Sequence, residues 1–457
     1  MAARATRVWK SLVTAHPART VVMAFAAVTL AGAALLSLPL SSEESGATGF
    51  VTSLFTSTSA VCVTGLAVVD TGTYWSGFGE GVILALIQVG GFGIMTMASL
   101  LGLLVSGKLR LRMQLTAQAE TKSLGIGEVR RVLLGVAGTT LAIELAVGAV
   151  LALRFRYGYG EPIGQAVHLG YFHAVSAFNN AGFGLHADNL TRYARDSWVT
   201  LPIAAAVILG GIGFPVLLEL LRHRRRRRTT GRRGWSLHTK LTMTTTAILL
   251  ATGTVFTSLL EWSNPGTLGH FDWSDKLLNG FFHSAMSRTA GFNALDIGAM
   301  EASTLLMTCA LMFIGGGSAG TAGGIKVTTF AVLAAAIVAE VRGEPSSAIF
   351  GRRLAPHVLR QALTVALLGV GLVMVSTLAL LTVVRAPFEA VLFESVSAFA
   401  TVGLSTGITA DVPESGQLIL ILLMFVGRLG PVTLVSALAL RERTRRYQLP
   451  EERPVIG

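Results

Sequence analysis

Charge is what this sequence lacks: 14% of its 457 residues are Asp, Glu, Lys or Arg, where soluble globular chains carry about 25%. The deficit is concentrated, because apolar runs of 20 or more residues recur along the whole length between short polar connections. A soluble enzyme, a disordered chain and a fibrous protein are thereby excluded. A length that would suggest about three soluble domains instead accommodates several membrane spans. Cysteine is nearly absent: Cys62 and Cys309 lie in apolar stretches and make neither a disulfide framework nor a metal-ligand set. No nucleophile–base pair or phosphate loop is found either, so the chain is not read as an enzyme. Acidic residues are outnumbered, 25 against 37 Lys and Arg, for a formal net charge of +12.

What is present is apolar and rich in glycine. Windows of about 20 apolar residues predict spans near 20–40, 81–105, 132–153, 198–221, 241–260, 302–339, 361–384 and 416–440. The basic and then apolar N-terminus resembles a signal peptide. It is read as the first span, because no small-x-small cleavage site follows and an uncleaved helix gives an even number of spans. The segment 302–339 would run roughly 57 Å as one helix against a core of about 30 Å, so it must break; its middle is Gly315-Gly316-Gly317-Ser318-Ala319-Gly320-Thr321-Ala322-Gly323-Gly324. Placing the N-terminus and alternate connections on one side gathers 28 of the 37 basic residues there. By the positive-inside rule both termini are cytoplasmic, in a multi-pass protein of the plasma (inner) membrane. The run Arg224–Arg228 is then a topology determinant beside anionic lipid or a dock for an acidic partner, and not a nucleic-acid site.

Between the members of each span pair lies an apolar stretch too short to cross. The four read Phe55-TSTSAVCVT-Gly65-Leu66, Phe172-HAVSAFNNA-Gly182-Phe183, Phe282-HSAMSRTA-Gly291-Phe292 and Phe393-ESVSAFATV-Gly403-Leu404. Their glycines are 117, 109 and 112 residues apart, so one unit occurs four times. A glycine cluster follows each at a matched offset: Gly90-Gly91, Gly210-Gly211, Gly315-Gly316 and Gly427-Arg428. The predicted fold is all-α and polytopic: four linked span–pore-helix–span repeats around a pseudo-fourfold pore, with eight transmembrane helices and four re-entrant loops. The units are 18–105, 127–222, 237–342 and 357–442, followed by a cytoplasmic tail at 443–457.

Irregular backbone at membrane depth survives only where protein buries it or water fills a cavity. Four such segments can converge so that backbone carbonyls replace an ion's hydration shell. Aiming carbonyls at an axis requires positive φ, which glycine accepts without penalty, and pore-helix C-termini favour a cation. The residues expected to line this filter are Val63, Thr64, Gly65; Asn180, Ala181, Gly182; Thr289, Ala290, Gly291; and Thr401, Val402, Gly403.

Ser59-Ala60-Val61-Cys62-Val63-Thr64-Gly65-Leu66, Phe178-Asn179-Asn180-Ala181-Gly182-Phe183, Arg288-Thr289-Ala290-Gly291-Phe292-Asn293, Ala400-Thr401-Val402-Gly403-Leu404 and Gly427-Arg428-Leu429-Gly430-Pro431-Val432-Thr433 resemble the Ktr/Trk/HKT superfamily of potassium transporters. The similarity is greatest to the membrane subunit of bacterial Ktr/Trk-type uptake systems, and it covers 18–440. Beginning directly at the first repeat places the chain nearer the Ktr branch. The resemblance implies a homodimer in the lipid bilayer and a cytoplasmic nucleotide-binding (RCK-type) regulatory ring. It implies K+ as the transported ion, Na+ as a candidate activator and no cofactor within the chain. It also implies that glycine at the first filter position, here Gly65, marks potassium selectivity. A gate follows from it too: Gly315, Gly316, Gly317, Ser318, Ala319, Gly320 and Thr321, with Lys326 at the loop's end.

Arg428 occupies the position of Gly91, Gly211 and Gly316 in the other repeats. An intramembrane Arg must pair or face water; it either forms a salt bridge, for example with Glu144, or projects below the filter as part of the gate. The formal G-x-G-x-x-G of Gly315–Gly320 lacks a preceding strand and is not a dinucleotide site. Arg288 and Glu394 flank filter segments and are read as structural, paired across neighbouring pore helices, with ion handling as the alternative. Asn179 and Asn180 either bond the filter backbone or cap the pore helix, and His173 and His283 pack within pore helices. The rival readings are a sodium-permeable member of the same fold, a secondary carrier of an organic solute, and a scaffold whose glycines are structural; a carrier would more typically show two inverted halves.

Overall fold

A computed structural model describes residues 17–43, 48–114, 126–226 and 235–430. Its architecture is helical: α1 (Pro17–Leu36), α2 (Phe50–Val61), α3 (Gly77–Gln114), α4 (Ile126–Gly158), α5 (Ile163–Phe178), α6 (Ser197–Gly211), α7 (Phe214–Arg226), α8 (Leu237–Glu261), α9 (Trp273–Met286), α10 (Ala302–Phe313), α11 (Val327–Val341), α12 (Pro356–Val383), α13 (Phe388–Ala400) and α14 (Glu414–Leu429). A two-residue hairpin, Ala348–Ile349 with Arg352–Arg353, precedes α12. Its turn residues Phe350 and Gly351 both have positive φ, 49° and 72°, the geometry a tight two-residue hairpin demands.

The long helices are long because their sequences are apolar all round. Leu133–Gly158, Leu237–Glu261 and Pro356–Val383 are each long and apolar enough to cross a bilayer, and only 33%, 28% and 22% of their most apolar windows are buried. Along α12, Leu363, Leu367, Val370, Met374 and Leu378 face outward. In water such a stripe would be an aggregation surface; against lipid tails it costs nothing.

Length alone qualifies fewer spans than the eight expected. Among the described residues three helices pass, or four if the pair Ser197–Gly211 and Phe214–Leu221 is one broken span. Two of the expected spans are broken, both of them second helices of their units. Residues 302–341 form two helices separated by a loop at 314–326. The expected span 198–221 also breaks, bending by 102°. Its sequence explains the bend: Gly213 adopts φ 93°, and Pro215 follows, with no N–H to offer the preceding turn and a steric bias against helix in the residue before it. The last span ends at Leu429 within the described residues, and Pro431-Val432-Thr433, the segment to 440 and the 443–457 tail lie outside them, as do the side chains of the Arg224–Arg228 run.

Four short helices, α2, α5, α9 and α13, organise the packing. In sequence order each second helix also meets the short helix of the next unit: α3 with α5, α6 with α9, α10 with α13, and α14 with α2. The last of these joins the fourth unit to the first, so the four units close into a ring. The glycine clusters make this closure possible. A Cβ on Gly90, Gly210 or Gly427 would collide with the carbonyl of Val61, Phe178 or Phe399 at the C-terminal end of α2, α5 or α13. The second helix therefore rests directly on the end of its own short helix.

Candidate ion-conduction site

Beyond each short helix the chain turns through an elbow with a repeated backbone signature. Gly65, Gly182, Gly291 and Gly403 have φ of 93°, 70°, 73° and 93°. Two residues ahead of them, Val63, Asn180, Thr289 and Thr401 have φ of 55°, 59°, 80° and 51°. Non-glycine residues enter this region rarely, and when they do so at four matched positions the surrounding structure is enforcing it. Alternating the sign of φ turns successive peptide planes over, so that carbonyls which would alternate along a strand can share one side.

The four elbows meet. A Cβ placed on Gly65 would strike the Ala181 carbonyl, one on Gly182 the Ala290 carbonyl, one on Gly291 the Val402 carbonyl, and one on Gly403 the Thr64 carbonyl. The contacts run from unit to unit in chain order and return to the start. Thr64, Ala181, Ala290, Val402 and all but the edge of this ring are buried. Two hydroxyls beside it, Thr64 Oγ1 and Thr401 Oγ1, are buried without a hydrogen-bond partner in the protein.

Three elbows are braced from behind by a serine. Ser59 Oγ donates to the Leu66 carbonyl at 2.7 Å and accepts from the Gly65 N–H at 3.1 Å. Ser176 Oγ donates to the Phe183 carbonyl at 2.8 Å, and Ser397 Oγ accepts from the Gly403 N–H at 3.0 Å. Repetition in the sequence marks these residues: each is four positions after the repeat's phenylalanine and is followed by alanine, but the bracing role itself is visible only in the fold. In the third unit Met286 takes that position, and the elbow is one residue shorter.

The polar residues around the ring find other partners than those expected. Asn179 Nδ2 donates to Gln88 Oε1 at 2.9 Å, Glu144 Oε1 at 3.0 Å and the Val175 carbonyl at 2.9 Å. Glu144 thus belongs to a buried triad joining the first two units, and the pairing of Glu144 with Arg428 does not form. Glu144→Ala should leave the amide donor of Gln88, which lies 3.3 Å from Glu144 Oε2, unpaired and take one of three acceptors from Asn179, at a cost of about 1–3 kcal/mol, measurable as a lower melting temperature of the detergent-solubilised protein. Arg288 reaches the Thr246 carbonyl at 3.2 Å and the Gly315 carbonyl at 3.4 Å. Glu394 accepts from Ser405 and from Thr409 Oγ1 at 3.0 Å, so Arg288 and Glu394 are not partners. His173 Nδ1 lies 2.8 Å from the Leu169 carbonyl and His283 Nε2 lies 2.9 Å from Thr308 Oγ1.

The 314–326 loop is folded and hydrogen-bonded at both its neck and its body. Gly315 N–H donates to the Ile325 carbonyl at 2.9 Å and Val327 N–H to the Gly316 carbonyl at 3.0 Å, closing its neck. Its body sits in the break of the second unit: Gly317 N–H donates to the Gly211 carbonyl at 2.7 Å, Thr321 N–H to the Gly210 carbonyl at 3.2 Å, and Phe214 N–H to the Ala319 carbonyl at 3.1 Å. Ser318 Oγ lies 3.1 Å from Thr328 Oγ1; Lys326 Nζ turns back onto the Ala322 carbonyl at 2.5 Å. Gly320 has room only for hydrogen between the Gly210 and Gly211 carbonyls and the Gly213 N–H. From the fourth unit, Arg428 Nη1 donates to the Thr321 carbonyl. Thr321 therefore touches the second and fourth units, which the ring places opposite one another. Nε and Nη2 of Arg428 have no partner in the protein.

Comparison with known proteins places these features in context. A family model described as TrkH, cation transport protein, matches residues 3–444. The chain is 41% identical to Ktr system potassium uptake protein B of Bacillus subtilis over 94% of its own length and 95% of the relative's. It is 37% identical to the protein of the same name from Vibrio alginolyticus, over 96% and 94%. It is 32% identical to potassium/sodium uptake protein NtpJ of Enterococcus hirae, over 96% and 97%. The crystal structure of the potassium transporter TrkH from Vibrio parahaemolyticus superposes with a TM-score of 0.72 at 17% identity, covering 92% of this chain and 84% of that one, and so shares its fold.

Proposed function

The chain belongs to the TrkH family of cation transport proteins, and from that premise we propose that it takes up potassium across the plasma membrane through the glycine ring. The observation carrying this reading is the cyclic packing of four positive-φ glycines against the carbonyl of the next elbow. Such a ring presents oxygen dipoles and no side-chain charge, which suits a large monovalent cation that must be bound and then released. The filter residues would be Val63 to Gly65, Asn180 to Gly182, Thr289 to Gly291 and Thr401 to Gly403, with the orphan hydroxyls of Thr64 and Thr401 as further acceptors. The 314–326 loop, held by Arg428, would be the gate.

With the arginine-rich connections facing the cytoplasm, ions enter from outside, lose water at the ring and leave past the loop. A potential of 100 mV, negative inside, supplies about 2.3 kcal/mol per charge, an accumulation of about 50-fold without nucleotide hydrolysis in this chain. A homodimer and a cytoplasmic nucleotide-binding ring complete the assembly we propose, in line with the Ktr system names of its relatives. A sodium-permeable transporter is the second reading, favoured by the potassium/sodium name of the Enterococcus hirae relative. Expression in a strain lacking potassium uptake should restore growth at low potassium, with rubidium uptake exceeding sodium uptake. No rescue, or equal fluxes of the two ions, would overturn the potassium reading.

A further inference from the structure

The elbow of the third unit has no serine brace. Met286 stands where the other units have one; the Ala290 and Gly291 N–H groups donate to the Met286 carbonyl at 3.0 and 3.3 Å, and the side chain of Thr289 is met from the neighbouring unit. Asn180 Nδ2, on the second elbow, lies 3.4 Å from Thr289 Oγ1 on the third. Asn180 is itself buried and held at φ 59°. Its remaining side-chain acceptor, Oδ1, receives the Thr321 hydroxyl at 3.0 Å; the same hydroxyl lies 3.3 Å from the Phe178 carbonyl at the end of α5. Arg288, one residue before Thr289, bonds the Gly315 carbonyl at the other end of the loop. The seam between the second and third elbows is thus tied to the loop at both ends.

We propose that Thr321 and Asn180 form a latch through which the position of the 314–326 loop sets the geometry of the glycine ring, so that ion selection and gating are one linked equilibrium. The inference rests on the reading of the ring as a filter and the loop as a gate. A seated loop fixes the Asn180 carboxamide, which keeps its Nδ2 on Thr289 and the two elbows in register. A displaced loop takes the hydroxyl away, and Asn180 loses the bond that holds it in a backbone region asparagine otherwise visits at a cost. Because linkage is reciprocal, an ion that orders the ring must also favour the seated loop. Potassium should then act on the loop from the far side of Asn180.

Two measurements test this. Thr321→Val keeps the volume and removes the hydroxyl, and Thr321→Ser keeps the hydroxyl. Loss of one buried hydrogen bond should shift the latch equilibrium by about fivefold. Thr321→Val should therefore lower the ratio of rubidium to sodium flux by about that factor, and Thr321→Ser should retain the native ratio. In the second measurement Ser318→Cys, on the loop but outside the latch, is modified by a soluble thiol reagent in membranes bathed in potassium or in N-methylglucamine. Potassium should slow the modification, and adding Thr321→Val should abolish the difference. An unchanged flux ratio in Thr321→Val, or modification independent of potassium in Ser318→Cys alone, would overturn the latch. A native chain that carries no rubidium at all would instead overturn the filter reading on which it rests.

Discussion

Gly65→Ser is expected to reduce the preference for potassium over sodium by about tenfold. Two independent costs meet at this position. The backbone holds φ at 93°, a region that side-chain-bearing residues occupy only with strain of about 1–3 kcal/mol. The added Cβ also has nowhere to go, because it would overlap the Ala181 carbonyl and press on the Cα of Gly182. The strain can be relieved only by moving the second elbow, whose carbonyl is one of those proposed to coordinate the ion. About 1.4 kcal/mol of altered discrimination corresponds to a tenfold change in ratio. Gly93→Ala is the control. Gly93 belongs to the conspicuous cluster Gly90-Gly91-Phe92-Gly93, yet a Cβ there meets nothing within 4 Å. Paired rubidium and sodium influx in vesicles should show the ratio falling in the first variant and unchanged in the second. A native ratio in Gly65→Ser would remove the ring from ion selection.

That contrast also shows what the sequence could and could not reveal. The four elbow glycines were legible because repetition at 109 to 117 residues marks a position that demands glycine, whatever the demand is. The second set of clusters was legible as a repeat mark but not as a contact: that Gly90, Gly210 and Gly427 rest on the ends of short helices is a matter of tertiary distance. The broken helix at 302–339 follows from a length no bilayer accommodates, whereas 198–221 has the length of an ordinary span, so only its Gly213-Phe214-Pro215 run marks the break there. The partners of Glu144, Arg288 and Glu394 were illegible. A buried carboxylate must be satisfied, but sequence does not say whether an arginine, an amide or two hydroxyls will do it, and here amides and hydroxyls do.

Arg428→Ala is expected to raise the basal cation flux at least tenfold. The guanidinium acts in two separable ways. It donates to the Thr321 carbonyl and so ties the fourth unit to the loop, and it places a permanent positive charge against that loop with two donor nitrogens unpartnered. No carboxylate neutralises it among the described residues. At an effective dielectric of about 20, a unit charge roughly 6 Å away repels a passing cation by about 3 kcal/mol, enough alone to slow passage by about two orders of magnitude; release of the loop adds to the same direction. Arg428→Lys separates the two contributions. Lysine keeps the charge on a shorter, unforked stem and loses the bond geometry to Thr321. If the charge dominates, Arg428→Lys should stay near the native rate while Arg428→Ala and Arg428→Gln are both fast; if the tie to Thr321 dominates, all three should be fast. Rubidium influx in vesicles at fixed potential distinguishes these patterns, and native flux in Arg428→Ala would show that the arginine neither braces the loop nor opposes the ion.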